Sequence, residues 1–438
     1  MVDERHRVLN RRVASIAVPA LGALAAEPLY VLVDTAIVGR LGTNALGGLA
    51  VATSVLTTIA WMLGFLSTIV TTNVAATGAD EETQAARIVD ALALALGLGV
   101  MLGAVIAAFA RPLASAVGAH GPVLTNAVTY LRISAIGVPA LLVAFVGHGE
   151  LRGRERNRRS LAIVGVANVL NVGLEVVFVY GWHLGVAGSA WGTVIVQVLA
   201  GLWFTASLVR RVRVAPGARR PDRRAVLGLL GDGLRLGVRT AAIVGVFLIA
   251  TAAAARMGAV RLAAHQITYQ LFTLLALGLD ALALAGQVIV ATAIGAGRFE
   301  EGAHASRHLV RVALRWGLLA GAVVVATSGL LPRVFTADAA VRHAAIGPLV
   351  LLGVLTVPGA VAFLFDGVYL GTSDYGWMQR GTLLASVTFF PFAVVAFAVP
   401  RLGLVFLWSA LVVWMTARAV LQHWWFRSGR WTAAAHGG

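Results

Sequence analysis

The chain contains no cysteine. Disulfides and thiolate nucleophiles are therefore excluded. Lysine is absent as well, so each of the 35 basic residues is an arginine. Without lysine there is no Walker A motif and no Schiff-base chemistry. Charge of either sign is scarce, at 12% of residues, where a soluble domain carries about 25%. What fills the chain instead is apolar: 59% of residues are hydrophobic. Composition alone therefore reads as a membrane protein. The 438 residues leave room for roughly twelve spans of ~20 or more residues each.

The formal net charge of +16 would suggest nucleic acid in a soluble protein. Here the arginines sort into loops, where they act as topology signals, and no nucleic-acid partner is expected. Apolar helices are predicted at 13–38, 45–77, 86–109, 122–148, 159–180 and 186–209. A second set follows at 232–257, 260–295, 303–327, 344–371, 377–399 and 402–426. Arginine clusters at the N-terminus, after the fourth helix (Arg152 to Arg159) and after the sixth (Arg210 to Arg224) all fall on one side. The positive-inside rule places that side, and both termini, in the cytoplasm. The acidic loop "GADEETQAAR" goes against the trend, but acids weigh little in the rule. The opening "RHRVLNRRVASIAVPA" reads as an uncleaved first span, because its apolar stretch outruns a signal peptide. "HWWFR" at 423–427 reads as an interfacial anchor.

Two strings show an internal repeat. "LVDTAIVGRLG" (32–42) aligns with "LIATAAAARMG" (248–258) at an offset of 216, pairing Thr35 with Thr251, Arg40 with Arg256 and Gly42 with Gly258. Pro139 and Pro358 echo this at 219. The fold class is therefore an all-α polytopic membrane protein of twelve helices in two pseudo-symmetric six-helix lobes. The expected domains are an N-lobe at 13–209, an Arg-rich cytoplasmic linker at 210–231 and a C-lobe at 232–426. Six spans return the chain to its starting side. The halves should thus be related by an axis along the membrane normal, with the substrate cavity between them.

Ionisable residues inside spans need an explanation, since an aspartate at a helix centre costs about 2.5–3.5 kcal/mol. The candidates are Glu27, Asp34, Glu175, Asp280 and Asp366, with His265 and Arg239 beside them. Glu27 and Asp34 are two turns apart on one face of the first helix, which also carries Pro19 and Pro28 as places to bend. On the fifth helix Asn168, Asn171 and Glu175 share a face. Thr193 in "GSAWGT" can join them from the sixth. The repeat places Ala250 at the position of Asp34 and Ile243 at that of Glu27. The acidic site is thus confined to the N-terminal half. A buried carboxylate site takes up either a proton or a cation, and that competition combined with alternating access gives antiport. The in-span charges are mostly acids, which suits cationic cargo. No HExxH pair and no Ser–His arrangement in a helical frame is present, and His148 and Glu150 sit at i,i+2 on different faces; an enzyme is not expected.

The strings "EPLYVLVDTAIVGRLG", "NVLNVGLEVVFVYGWHLGVAGSAWGT", "AAHQI", "LDALALAGQVIVATAIGAG" and "FDGVYLGTSDYGWMQR", in this order and spacing, resemble the multidrug and toxic compound extrusion (MATE) family, most closely its DinF-type branch. The resemblance spans about 13–426. It implies a V-shaped two-lobe antiporter driven by protons or sodium. It also implies an N-lobe cation site at Asp34, Tyr30, Asn171, Glu175 and Thr193, to which the reading of in-span acids adds Glu27, and a helix-1 proline, Pro19, whose bending is linked to protonation. Position 175 is Glu where the family often has Asp. The NorM-type branch has a glutamate in its seventh helix, whereas "RTAAIVGVFLIATA" has none, which favours protons over sodium. The expected function is export of small cationic amphiphiles in exchange for protons. The expected setting is a functional monomer without cofactor or bound metal, among the lipids of a bacterial cytoplasmic membrane. A lipid-linked precursor flippase and a sodium-coupled drug antiporter are the alternatives. Asp280 and Asp366 are secondary candidates in the C-lobe.

Overall fold

The computed structural model describes residues 2–78, 80–214 and 220–431; the side chains of residues 2–6 and 27 lie outside the description. Twelve helices among the described residues are long and apolar enough to cross a membrane. They are α1 (Arg7–Gly39), α2 (Thr43–Thr77), α3 (Glu81–Ala116), α4 (Gly121–Gly153), α5 (Asn157–Gly181) and α6 (Val186–Val214). The second set is α7 (Arg223–Arg256), α8 (Ala259–Gly295), α9 (Phe299–Thr327), α10 (Ala339–Gly371), α11 (Tyr375–Ala398) and α12 (Pro400–Arg427). The chain is a multi-pass membrane protein. Every expected span is present, and most run longer than hydropathy alone indicates, because their polar ends continue the helix past the apolar run. The expected linker at 210–231 is accordingly largely helical, with α6 ending at Val214 and α7 starting at Arg223.

Local chemistry sets the boundaries. Asp80 caps α3 by accepting from the Thr83 amide at 3.0 Å. Asp338 caps α10 by accepting from Ala340 at 2.8 Å and Val341 at 3.3 Å. Gly42 and Gly258 precede α2 and α8 with φ of 111° and 100°, a region that favours glycine. The aligned glycines of the repeat thus do the same job at equivalent turns.

The chain forms two compact units, one of residues 22–233 and one of residues 1–21 with 234–438. The first 21 residues therefore belong with the second unit, which the sequence reading did not foresee. There the Asn10 Oδ1 meets His308 Nε2 of α9 at 2.7 Å. Pro19 is buried and lies just before the point in α1 where residues pass from one unit to the other.

Each unit is built around a central helix, α4 in one and α10 in the other, and both are clasped through glycines. A Cβ on Gly149 or Gly153 of α4 would stand 2.6 Å from the Ser67 carbonyl oxygen and 2.7 Å from that of Thr71 on α2. Gly367 and Gly371 of α10 meet the carbonyls of Ala283 and Gln287 on α8 in the same way. On the other flank Gly99 and Gly103 of α3 press on Pro139 and the Ala135 carbonyl. Gly317 and Gly321 of α9 press on Val357 and the Gly353 carbonyl. All these pairs recur at offsets of 216 or 218. They are small-xxx-small contacts, which let membrane helices approach where no hydrophobic force drives them together. The equivalent of Pro139 is thus Val357, and Pro358 falls one residue beyond it.

Gly97 of α3 has open space where a Cβ would project, whereas a Cβ on Gly99 would lie 2.6 Å from the Pro139 Cα. Gly97→Val should leave the thermal midpoint of purified protein in detergent near wild type. Gly99→Val should lower it sharply or abolish recovery of monodisperse protein, since the opposing atom is backbone and overpacking alone costs about 1–3 kcal/mol. Equal behaviour of the two would refute the clasp.

Candidate functional site

In the first unit three pairs of residues, each at i,i+4 spacing, converge: Tyr30 and Asp34 on α1, Asn171 and Glu175 on α5, Ser189 and Thr193 on α6. Such pairs share a helix face. The approach of α5 to α6 depends on Gly188 and Gly192, whose Cβ positions lie 2.9 Å from the Phe178 carbonyl carbon and 3.4 Å from the Glu175 nitrogen. Directly after Glu175, α5 widens into a π-helical turn, Val177–Gly181, a device common at functional sites. Two bonds tie α5 to the backbone of α1: Asn168 Nδ2 donates to the Ala26 carbonyl at 3.3 Å and the Tyr180 hydroxyl to that of Ile37 at 2.7 Å.

Three hydrogen bonds converge on the Thr193 hydroxyl. Its one proton goes to the Ser189 carbonyl at 3.2 Å. Both its lone pairs then accept, from Asn171 Nδ2 at 3.2 Å and from the Tyr30 hydroxyl at 2.9 Å. Ser189 Oγ donates to Asp34 Oδ1 at 2.7 Å. Asp34 is 2% exposed and Glu175 fully buried. Neither Glu175 oxygen, nor Asn171 Oδ1, has a hydrogen-bond partner among the described residues. The Glu175 carboxyl instead faces that of Asp34. Buried Tyr130 of α4 completes the cluster beside Ser189 and Thr193. The site is rich in acceptor oxygens, poor in donors, and without an arginine. Such an arrangement is satisfied by a proton or a cation.

The structure thus brings together Tyr30, Asp34, Asn171, Glu175 and Thr193. The side chain of Glu27 lies outside the described residues. Ser189 and Tyr130 were not anticipated; Ser189 stands one turn before Thr193, which was a usable signal, while Tyr130 gave none. No group of three or more His, Asp or Glu able to hold a metal ion occurs among the described residues.

The second unit replaces the whole cluster. Glu155 and Ser373 (φ of 57° and 58°), then Gly185 and Gly403 (57° and 74°), fix the alignment of α5 and α6 with α11 and α12 at offset 218. Tyr30, Asp34, Asn171, Glu175, Ser189 and Thr193 then correspond to Val246, Ala250, Phe389, Ala393, Leu407 and Leu411. All six belong to one buried hydrophobic cluster, which also contains the fully buried Trp408.

The polar residues of the second unit lie elsewhere. Asp366 of α10 pairs with Arg239 of α7 and Arg418 of α12, and accepts from Gln422 Nε2 at 2.7 Å. Arg418 is 1% exposed. The expectation that in-span charges are mostly acids therefore fails here, because Arg418 lies close enough to the chain's basic end to pass for an anchor. Asp280 is exposed, with Asp366, Arg239 and Arg418 as its charged neighbours. His265 is not part of this group. Its Nε2 meets Thr251 Oγ1 at 3.0 Å and its ring stacks on Tyr269. Back in the first unit, His148 and Glu150 have separate partners. His148 Nδ1 meets Ser160 Oγ at 2.7 Å, and Glu150 pairs with Arg154 at 2.6 Å and Arg211 at 3.1 Å.

A family model described as MatE matches the chain twice, over residues 19–177 and 236–395. Protein DETOXIFICATION 44, chloroplastic, of Arabidopsis thaliana is 30% identical over 97% of this chain and 84% of its own length. DNA damage-inducible protein F of Escherichia coli is 28% identical, over 96% and 93% respectively. Among solved structures, a MATE crystal structure in the bent conformation superposes with a TM-score of 0.88 at 21% identity, covering 97% of this chain and 96% of that one. A MOP superfamily transporter from Pyrococcus furiosus superposes with a TM-score of 0.86 at 20% identity, covering 98% and 97%. These two likenesses show the fold.

Two buried carboxylates, Glu175 and Asp366, should respond oppositely to neutralisation. Glu175→Gln supplies a donor to an acceptor-rich site and should raise stability by about 1–3 kcal/mol. Asp366→Ala strands buried Arg418 and should lower it by about 3–5 kcal/mol. Thermal unfolding in detergent at neutral pH reads both; shifts of the same sign would contradict the contrast.

Proposed function

This chain belongs to the MatE family and is an efflux transporter rather than an enzyme, and on that premise we propose that it is a secondary antiporter exporting small cationic amphiphiles in exchange for protons. The observation that carries the reading is the apposition of the Asp34 and Glu175 carboxyls in a site with no basic residue. Two buried like charges repel, so the pair holds a proton between them or accepts a cation in its place. Proton and cationic cargo then exclude one another at one site. Alternating access converts that exclusion into exchange, since protons entering from outside release cargo and cargo entering from inside releases protons. Ser189 holds Asp34 by its hydroxyl, and Tyr30, Asn171 and Thr193 form a neutral hydrogen-bonded cluster beside the pair. Pro19 provides a place where α1 can bend.

The absence of an acid in α7 supports protons over sodium as the coupling ion. The lipid-linked flippase reading requires arginines free to bind a pyrophosphate; Arg239 and Arg418 are both engaged by Asp366. The bacterial relatives and the arginine distribution support a cytoplasmic-membrane location with both termini inside; that it works as a monomer without cofactor is part of the proposal.

Purified protein in liposomes should show proton flux dependent on ethidium, under an imposed pH gradient and without sodium. Asp34→Asn and Glu175→Gln should reduce that flux to the protein-free background while inserting normally. Flux that requires sodium, or wild-type flux in Asp34→Asn, would overturn the proposal.

A further inference from the structure

The surface of the second unit carries a groove of about 980 Å³ between α9, α10 and α12. Val310 and Leu314, Val357 and Val361, and Val412 and Val420 line its length. Its one hydroxyl, that of Thr416, is already satisfied by the Val412 carbonyl at 2.8 Å. At one end the groove reaches His423, Trp424 and Arg427. There it adjoins a second recess of about 650 Å³, which shares His423 and Arg427 and adds Arg307, Glu300 and Trp431.

We propose that this composite groove binds one anionic glycerophospholipid, with an acyl chain along the valine-lined part and the phosphate between Arg307 and Arg427. Four observations favour that occupant. The groove lies on membrane-spanning helices, so lipid is the medium in contact with it. From Val412 to Arg427 it follows α12 for fifteen residues, ~22 Å of rise, while one leaflet of hydrocarbon is ~15 Å deep. It therefore spans one leaflet and ends at headgroup level. Trp424, 53% exposed, stands at that level, where tryptophan is favoured. Finally, both Arg307 and Arg427 are exposed, and neither has a hydrogen-bond or ion-pair partner among the described residues. With the Glu300 carboxylate counted, the head region carries a net single positive charge, which matches one phosphodiester and not a multiply charged head. The arginine-rich sides of this chain face the cytoplasm by the positive-inside rule, and that leaflet is the one bearing anionic lipid. The site is separate from the Asp34–Glu175 cluster, and the proposal does not depend on the transport reading.

The test is native mass spectrometry of delipidated protein in detergent, titrated with phosphatidylglycerol or phosphatidylcholine of identical chains. Wild type should bind one phosphatidylglycerol in preference to phosphatidylcholine. Arg307→Gln and Arg427→Gln should each weaken phosphatidylglycerol by about fivefold, as expected for one basic residue at a lipid surface, and the double variant should lose the preference. Thr416→Trp, an exposed position within the groove, should weaken both lipids together by blocking the chain. Millimolar inorganic phosphate should not compete, because it lacks the chain. Circular dichroism and gel filtration check that each variant is folded. Equal binding of the two lipids by wild type, a preference that survives in the double variant, insensitivity to Thr416→Trp, or displacement by free phosphate would each overturn the proposal.

Discussion

A bundle that spans hydrocarbon has no water to complete its hydrogen bonds, so each polar side chain inside it must be answered by another group of the protein. The clearest departure from that constraint is the apposition of Asp34 and Glu175. Ser189 provides one donor, Thr193 is saturated by its neighbours, and the remaining carboxyl oxygens of Glu175 are left unpartnered. Such a site is stable only when something from outside the chain completes it. That requirement is what makes the site responsive: on the proposed reading, its occupancy by proton or cation sets the charge of the unit's interior.

The same backbone frame carries no such demand in its second copy. Both units hold their central helix through glycines at the same relative positions, so the frame is fixed by backbone contact and not by the side chains of α5 and α6 or their counterparts. Those positions were therefore free to diverge. Filling them with Val246, Ala250, Phe389, Ala393, Leu407 and Leu411 converts an unsatisfied polar site into apolar core. A duplicated chain keeps its carboxylate in one copy because the other copy gains packing once the carboxylate is gone, at no cost to the frame.

The spans and the duplication were legible because hydropathy, glycine turns and arginine loops are local signals. Asp34 and Glu175 were legible because acids in apolar helices are rare enough to need a reason. Ser189 and Tyr130 were hidden, since hydroxyls occur throughout membrane helices and only the fold shows which of them meet a carboxylate. The glycine clasp was hidden for a related reason: among 49 glycines, the eight that clasp the central helices are distinguished by partners far away in sequence. Arg418 was missed because a basic residue near the end of a last span reads as an anchor, while its burial depends on Asp366 of another helix.

Asp366 and Arg418 show that a buried charge need not be a responsive one. Two guanidinium groups and the Gln422 amide meet the Asp366 carboxylate, so its lone pairs are answered from within the unit. Desolvating such a pair costs about as much as its attraction returns, and a buried ion pair is weak evidence for net stability. Its physical consequence is instead geometric: α7, α10 and α12 are held in one register, because moving any of them would separate charges in a low-dielectric interior. The first unit's acids lack this closure. The distinction between the two carboxylate sites therefore rests on the number of donors aimed at each, and not on burial, which they share.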